Sequence, residues 1–521
     1  MEVNLFSTTK KEEHKKSTND AEASSIAGVL VIGGGYLWVS KNGHKIEQYY
    51  FDHFEEIYLV CFGISVVLVI LAILFIKKKT TGMDIRANLL SPLWRKRFDN
   101  IEVGKSPDEI DIHLSDQDRC SHVQVIGTTG RGKTKSVVVP WTIRDLERGK
   151  SVVLIDGKGS SDLPEEILSI VNDLNIDCER LHFDLDNPEL SISINPLRHG
   201  TAQQITDRIF TSFEFKDPFY SAVQYDICGY LIQLILESKR ITTFKLLYKL
   251  LTDDKELVKL ISELDQSHNL KDILKNYIRE PLKDRKNKMA GLISQISPFA
   301  NSEVAQIVNS IDANNSLSHL LLNSYDTKLF IFSIPTLKYQ KLGHQLGKLI
   351  LQELAWCVGE RERIADNNFT SVVLDEFSEF VYEGFISILN KARSAKVALH
   401  LCHQALSDLT VVSDSFAKSI NTNTNIKCIL GLNDPETADF YARHLGTKTT
   451  LKYTEQTVEG GLFKNKEETG RASMREVESY KVHPNLLKEL YQGQGVIHLP
   501  TKAGMVTEII KFKAFNQQEF C

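Results

Sequence analysis

The sequence predicts an α/β protein in which a phosphate-binding-loop nucleotide domain is interrupted by an all-helical insertion and preceded by two transmembrane helices. Three observations carry this reading. Residues 127–134 spell Gly-Thr-Thr-Gly-Arg-Gly-Lys-Thr between an apolar run and a helical pattern. Strand-like runs alternate with helical ones on both sides of a long strand-poor stretch. Ile57 to Ile76 is an uncharged apolar segment of twenty residues.

The apolar segment is long enough to cross a bilayer as a helix. Lys77, Lys78 and Lys79 follow it and should stay cytoplasmic. An earlier stretch, Ile26 to Val39, is shorter and contains Gly33-Gly34-Gly35, and with Ala21 to Ser25 it reaches spanning length only by including Glu22. A cleaved signal peptide fits it poorly, because Glu12 and Glu13 interrupt the basic lead-in. Lys10, Lys11, Lys15 and Lys16 mark the N-terminus as cytoplasmic. The expectation is residues 1–80 as a cytoplasmic tail and two spans, about 22–40 and 57–76, joined by a short periplasmic loop, with the bulk of the chain inside the cell.

A linker from Thr80 to about Arg97 leads into the nucleotide domain, expected over residues 81–200 and 324–521. Val123-Gln124-Val125-Ile126 reads as a buried strand, and Ser136 onward as a helix. Between them, Gly127, Thr128, Thr129, Gly130, Arg131, Gly132, Lys133 and Thr134 complete the G-x-x-x-x-G-K-[ST] pattern. Its glycines let backbone N–H groups point inward at a phosphate chain. Lys133 can neutralise phosphate charge and Thr134 can offer its hydroxyl to Mg²⁺, while the helix that follows adds its positive end. Arg131 occupies a position the pattern leaves free, facing either the phosphates or solvent.

Ser151 to Ile155 is the next strand and runs into Asp156-Gly157-Lys158-Gly159. Alternation of this kind implies a parallel sheet with ligands at the carboxyl ends of its strands. Over residues 201–323 Leu and Ile recur at helical spacing, as in Leu246, Leu247, Leu250 and Leu251, and again in Leu257, Leu260, Ile261 and Leu264, which marks the helical insertion. Strands resume at Lys328–Ile334, Ser371–Leu374, Val397–Cys402, Ile426–Gly431, Gly495–Leu499 and Met505–Phe512. The polar, glycine-bearing stretch Thr454 to Arg475 is expected as an exposed loop.

Ser371-Val372-Val373-Leu374 ends in Asp375-Glu376. Adjacent acids at a strand tip can divide two roles, Asp375 toward Mg²⁺ and Glu376 toward the attacking water. A polar strand end that caps the next helix is the bland alternative. The strand from Val397 ends at Gln404, a candidate γ-phosphate sensor, and Arg393 lies on a helix before it. Spacing alone leaves Arg393 as either a solvated helix arginine or a finger reaching a neighbouring subunit's nucleotide. His400, Cys402 and His403 do not suggest a metal site, since His403 points opposite to the other two on a strand.

Eight scattered cysteines without a C-x-x-C pair indicate neither a disulfide framework nor a zinc ribbon. A net charge of −5 argues against a protein that coats nucleic acid with its general surface, though not against a local basic channel.

Taken in order, the loop at 123–134, Asp156-Gly157-Lys158-Gly159, Ile194-Asn195-Pro196-Leu197, Asp217-Pro218-Phe219 at the head of the insertion, Leu374-Asp375-Glu376, and Ala392-Arg393 leading to Gln404 resemble the type IV coupling proteins of conjugative DNA transfer, the TraD/TraG class. These are membrane-anchored ATPases related to FtsK-like DNA pumps. The resemblance runs from the membrane segments to about Phe515. It implies a RecA-like domain, an all-α domain facing the cytoplasm, a homohexameric ring, ATP and Mg²⁺ as cofactors, and anchorage in the bacterial inner membrane. As partners it implies single-stranded DNA bound without sequence preference, a relaxase or relaxosome, and channel components of a type IV secretion system. It carries nucleotide and Mg²⁺ binding onto Lys133 and Thr134, hydrolysis onto Asp375 and Glu376, sensing onto Gln404, and the intersubunit finger onto Arg393. F-type members add a long C-terminal extension that recruits the relaxosome. The chain stops at Cys521, so recruitment is expected to use another surface or a separate adaptor.

Overall fold

The computed structural model describes residues 100–515, apart from 266–268, 313–315, 323–326, 365–367, 459–466 and 502–503. The two expected transmembrane spans lie outside the described residues. Among the described residues, no helix is long and apolar enough to cross a membrane.

An eleven-stranded sheet forms the frame. Its strands are β1 (Asn100–Lys105), β2 (Asp111–Ser115), β3 (Val123–Ile126), β4 (Ser151–Asp156), β5 (Glu179–Asp184), β6 (Lys328–Ser333), β7 (Thr370–Asp375), β8 (Val397–His403), β9 (Ile426–Ile429), β12 (Gln494–Thr501) and β13 (Gly504–Phe512). They lie side by side in the order β2-β1-β13-β12-β9-β3-β8-β7-β4-β6-β5. The strands from β9 to β5 all pair in parallel. The flank β2-β1-β13-β12 is antiparallel and joins at β9, so the sheet is mixed rather than purely parallel. β3, β4, β6, β7 and β8 are buried along their whole length. That is why they read as largely apolar runs rather than regularly alternating ones.

Helices cover both faces. On one side α1 (Val139–Glu147) and α2 (Asp162–Asp173) contribute Val139, Ile143, Leu146, Ile167 and Val171 against Val123, Val125, Val152 and Leu154. The strand-poor stretch folds into α3 (Ala202–Ser212), α4 (Pro218–Glu237), α5 (Phe244–Thr252), α6 (Asp254–Glu263), α7 (Asn269–Arg279), α8 (Leu282–Asn301) and α9 (Leu317–Leu322). Asp217 starts α4 by accepting from the N–H groups of Phe219 and Tyr220, with Pro218 in the first turn, where its missing N–H costs nothing. The core of these helices is continuous with the other face of the sheet. Ile209, Leu231, Leu247, Leu292 and Phe299 belong to the cluster that holds Val153, Ile155, Phe332 and Leu374, and α10 (Gln340–Ile364) adds Leu346, Ile350 and Leu354. The remaining helices used below are α11 (Phe385–Ala392), α12 (Asp414–Asn423), α13 (Pro435–Leu445) and α14 (Pro484–Glu489).

Of the expected loop over Thr454–Arg475, residues 459–466 lie outside the described residues, and the rest belongs to a ribbon. β10 (Thr447–Val458) pairs antiparallel with β11 (Glu467–Tyr480), with Thr447 opposite Tyr480 and Lys452 opposite Arg475. Its sequence is polar and carries glycines, which is why it reads as a loop.

Candidate nucleotide site

The phosphate loop leaves β3 at the carboxyl edge of the parallel strands. Gly127 N donates to His403 O at 3.3 Å and Thr128 N to Gly431 O at 3.1 Å, which pins the loop between the ends of β8 and β9. Gly130 and Gly132 take φ values of 81° and 91°, a region that L side chains seldom enter. The chain then enters a wide π turn over Thr134–Val138 before α1 begins. Lys133, 6% exposed, folds back and donates from Nζ to Gly127 O at 2.6 Å.

β7 lies two strands away and delivers the acids. Thr134 Oγ1 stands 3.5 Å from Asp375 Oδ2. Glu376 sits in the left-handed region, with φ 56° and ψ 53°. Such a backbone costs a non-glycine residue on the order of 1 kcal/mol or more, and strain of this kind gathers at functional positions. Glu376 Oε2 accepts from Gln404 Nε2 at 3.2 Å, and Gln404 Oε1 accepts from Thr129 Oγ1 at 2.9 Å. Gln404 therefore joins the phosphate loop to Glu376. Its own backbone N–H is tied to Asp408 Oδ2 at 2.7 Å.

Sequence reasoning noted Asp156 and Lys158 without placing them in the site. The signal was present: Asp156 ends an apolar strand as Asp375 does, and the two pair directly across β4 and β7. Asp156 Oδ2 and Asp375 Oδ1 are both buried without a hydrogen-bond partner. Burial and then the neighbouring Asp375 charge push the Asp156 carboxyl up to about 7. Burial and then Glu376 raise that of Asp375. Burial also works to raise Glu376, but the bond from Gln404 and the charges of Lys133 and Lys158 outweigh it and lower the carboxyl. A hydroxyl beside oxygen donors with free lone pairs fits a hard divalent cation such as Mg²⁺, with Thr134 and Asp375 as its holders.

The half-buried Arg131 side chain is engaged by the protein. It donates to Leu490 O from Nη1 and to Asn433 Oδ1 from Nη2, each at 3.1 Å. Arg393 is at the end of α11, immediately before β8, whereas Gln404 follows β8. A seven-residue strand is roughly 23 Å long, so Arg393 lies at the opposite edge of the sheet from its own phosphate loop. His400 and His403 are engaged within the protein: Arg119 Nε bonds His400 Nε2 at 3.3 Å, and Gln124 Nε2 meets His403 Nε2 at 2.8 Å. Burial holds these rings down to about 3 and 4, so both are neutral.

Fold and loop together define a mixed α/β protein with a phosphate-binding loop and acids at the neighbouring strand tips. A family model described as the TraM recognition site of TraD and TraG matches residues 370–491. The type 4 coupling protein DotL of Legionella pneumophila is 23% identical over 463 residues, covering 76% of this chain and 58% of DotL. The chain thus spans less than two thirds of that relative. Among solved structures, the unbound bacterial conjugative coupling protein TrwBΔN70 matches with a TM-score of 0.55 at 13% identity, covering 80% of this chain and 90% of that one. The plasmid coupling protein TrwB in complex with ADP and Mg²⁺ matches at 0.53 and 14%, covering 78% and 88%. VirB4 of Thermoanaerobacter pseudethanolicus matches at 0.52 and 14%, covering 80% and 97%. The chain is similar to the type IV secretion coupling proteins of the TraD/TraG class.

Proposed function

We propose that the chain is a membrane-anchored, Mg²⁺-dependent ATPase of a type IV secretion system that recruits a DNA–relaxase substrate and drives its transfer into the secretion channel during conjugation. The observation that carries this reading is the approach of Thr134 to Asp375 and of Gln404 to Glu376 in a coupling-protein fold. Lys133 turns from Gly127 O to the phosphates, and loop N–H groups complete the cradle. Mg²⁺, when bound, neutralises charge on the phosphates. Glu376 takes a proton from the water as its oxygen bonds to the γ-phosphorus. The bond from that phosphorus to the bridging oxygen breaks, and its electron pair leaves with ADP. Gln404 reports the event to Thr129 and the loop.

Arg393 belongs, on this reading, to a neighbouring subunit's site, which its remoteness from its own loop favours. The working unit is a homohexamer, anchored in the bacterial inner membrane through the spans at 22–40 and 57–76, with its bulk in the cytoplasm. Single-stranded DNA is held through its backbone without regard to sequence. The test is the ATPase rate of the purified chain with no DNA, single-stranded DNA and duplex. Stimulation by single strands is expected. A rate indifferent to both kinds of DNA would point to protein cargo instead, and normal substrate transfer by Lys133→Ala and Glu376→Gln chains would leave only a scaffold with regulatory ATP binding.

A further inference from the structure

Lys158 stands in the site beside Glu376. Its Nζ lies 3.1 Å from Glu376 Oε1, and the Glu376 side chain is only 8% exposed. On the far side the same carboxylate accepts from Gln404 Nε2. The carboxylate is thus gripped between a neutral amide and an ammonium.

The turn that carries Lys158 is hydrogen-bonded on several sides. Asp156 Oδ1 accepts from Lys158 N at 2.9 Å. Gly157 N donates to Asp375 O at 3.2 Å, and Gly157 O accepts from Thr336 N at 3.2 Å and Thr336 Oγ1 at 3.0 Å. Gly159 has φ 58°, and a Cβ there would come within 2.4 Å of Pro335. The turn after β4 is therefore stitched to both neighbouring strand ends, β7 and β6, which fixes the backbone from which the half-exposed Lys158 side chain reaches Glu376.

An ion pair between exposed partners contributes little. Here one partner is buried, and leaving its carboxylate without the charge-assisted bond carries a desolvation cost. Lys133 cannot take over, because the triphosphate claims its charge.

We propose that Lys158 is a positioning residue for hydrolysis: its ammonium holds the Glu376 carboxylate in the orientation from which it accepts the proton of the attacking water, and does not itself bind the phosphates. This rests on the reading of Glu376 as the proton acceptor. The test measures steady-state ATP hydrolysis and the affinity for a fluorescent ATP analogue in the purified full chain and its variants. Lys158→Met is expected to lower kcat roughly ten- to a hundredfold, the loss of one charge-assisted bond, at unchanged KM and analogue affinity. Lys158→Arg should recover most of the rate. In a Glu376→Gln background, Lys158→Met should remove nothing further. A rise in KM with kcat intact would make Lys158 a phosphate ligand and overturn the proposal. An unchanged kcat, or a loss that adds to that of Glu376→Gln, would overturn it too. Wild-type hydrolysis by Glu376→Gln alone would instead refute the underlying assignment of Glu376.

Discussion

Arg131 of the phosphate loop donates to the carbonyl oxygen of Leu490 at 3.1 Å, across 359 positions of sequence. Leu490 ends α14, and the second arm of the same guanidinium holds Asn433, just before α13. The loop is therefore braced from outside its own strand and helix. Arg131→Ala should weaken nucleotide binding by about three- to tenfold, the cost of losing one or two hydrogen bonds, while leaving kcat at saturating ATP nearly intact. A fluorescent-nucleotide titration beside a saturation curve reads both quantities.

Lys133 and Glu376 should separate binding from chemistry. Lys133→Ala is expected to abolish detectable nucleotide binding. Glu376→Gln should bind nucleotide with wild-type affinity yet hydrolyse it at least about a hundredfold more slowly. Equilibrium binding and phosphate release on the two variants test this, and hydrolysis by the glutamine variant at the normal rate would contradict the role given to Glu376.

Gln404 bonds Thr129 on one side and Glu376 on the other. Gln404→Ala should lower kcat by roughly tenfold. Gln404→Glu should be worse, since a second carboxylate then replaces the amide donor at Glu376. The comparison of the two kcat values is decisive, because a purely steric role would favour the near-isosteric glutamate.

Glu353 on α10 offers a pH effect away from the site. It is 2% exposed, and its Oε1 has no hydrogen-bond partner. Burial raises its carboxyl to about 7, against the usual 4.5, despite the nearby Arg208. The folded chain then holds a proton that the unfolded chain has released. That contribution to stability is complete below about 4.5 and is lost as pH rises through about 7. Glu353→Gln should match the wild type near pH 5 and exceed it at pH 8 by roughly 1 to 3 kcal/mol. Urea denaturation at the two values measures the difference, and equal gaps at both would refute it.

Much of the sheet was legible because its central strands are short, largely apolar runs that end in candidate site residues. Val123–Ile126 points to the phosphate loop and Ser371–Leu374 to Asp375. β1, β2 and β5 were missed. Each mixes exposed and buried positions, so none stands out as an apolar run. The ribbon was missed because its polarity imitates a loop. In the site, the motif residues were readable from local pattern alone. The closeness of Asp156 to Asp375 was not, since it depends on β4 and β7 becoming neighbours although more than two hundred residues separate them. Arg131 could not be assigned either, as both its partners lie over three hundred residues downstream.

The ribbon β10–β11 grows from the gap between α13 and α14, and these helices pack together through Ala438, Tyr441, Leu445, Leu487 and Leu490. At their far ends lie Asn433 and Leu490, the two residues that grip Arg131. The ribbon and the phosphate loop thus meet one pair of helices from opposite ends.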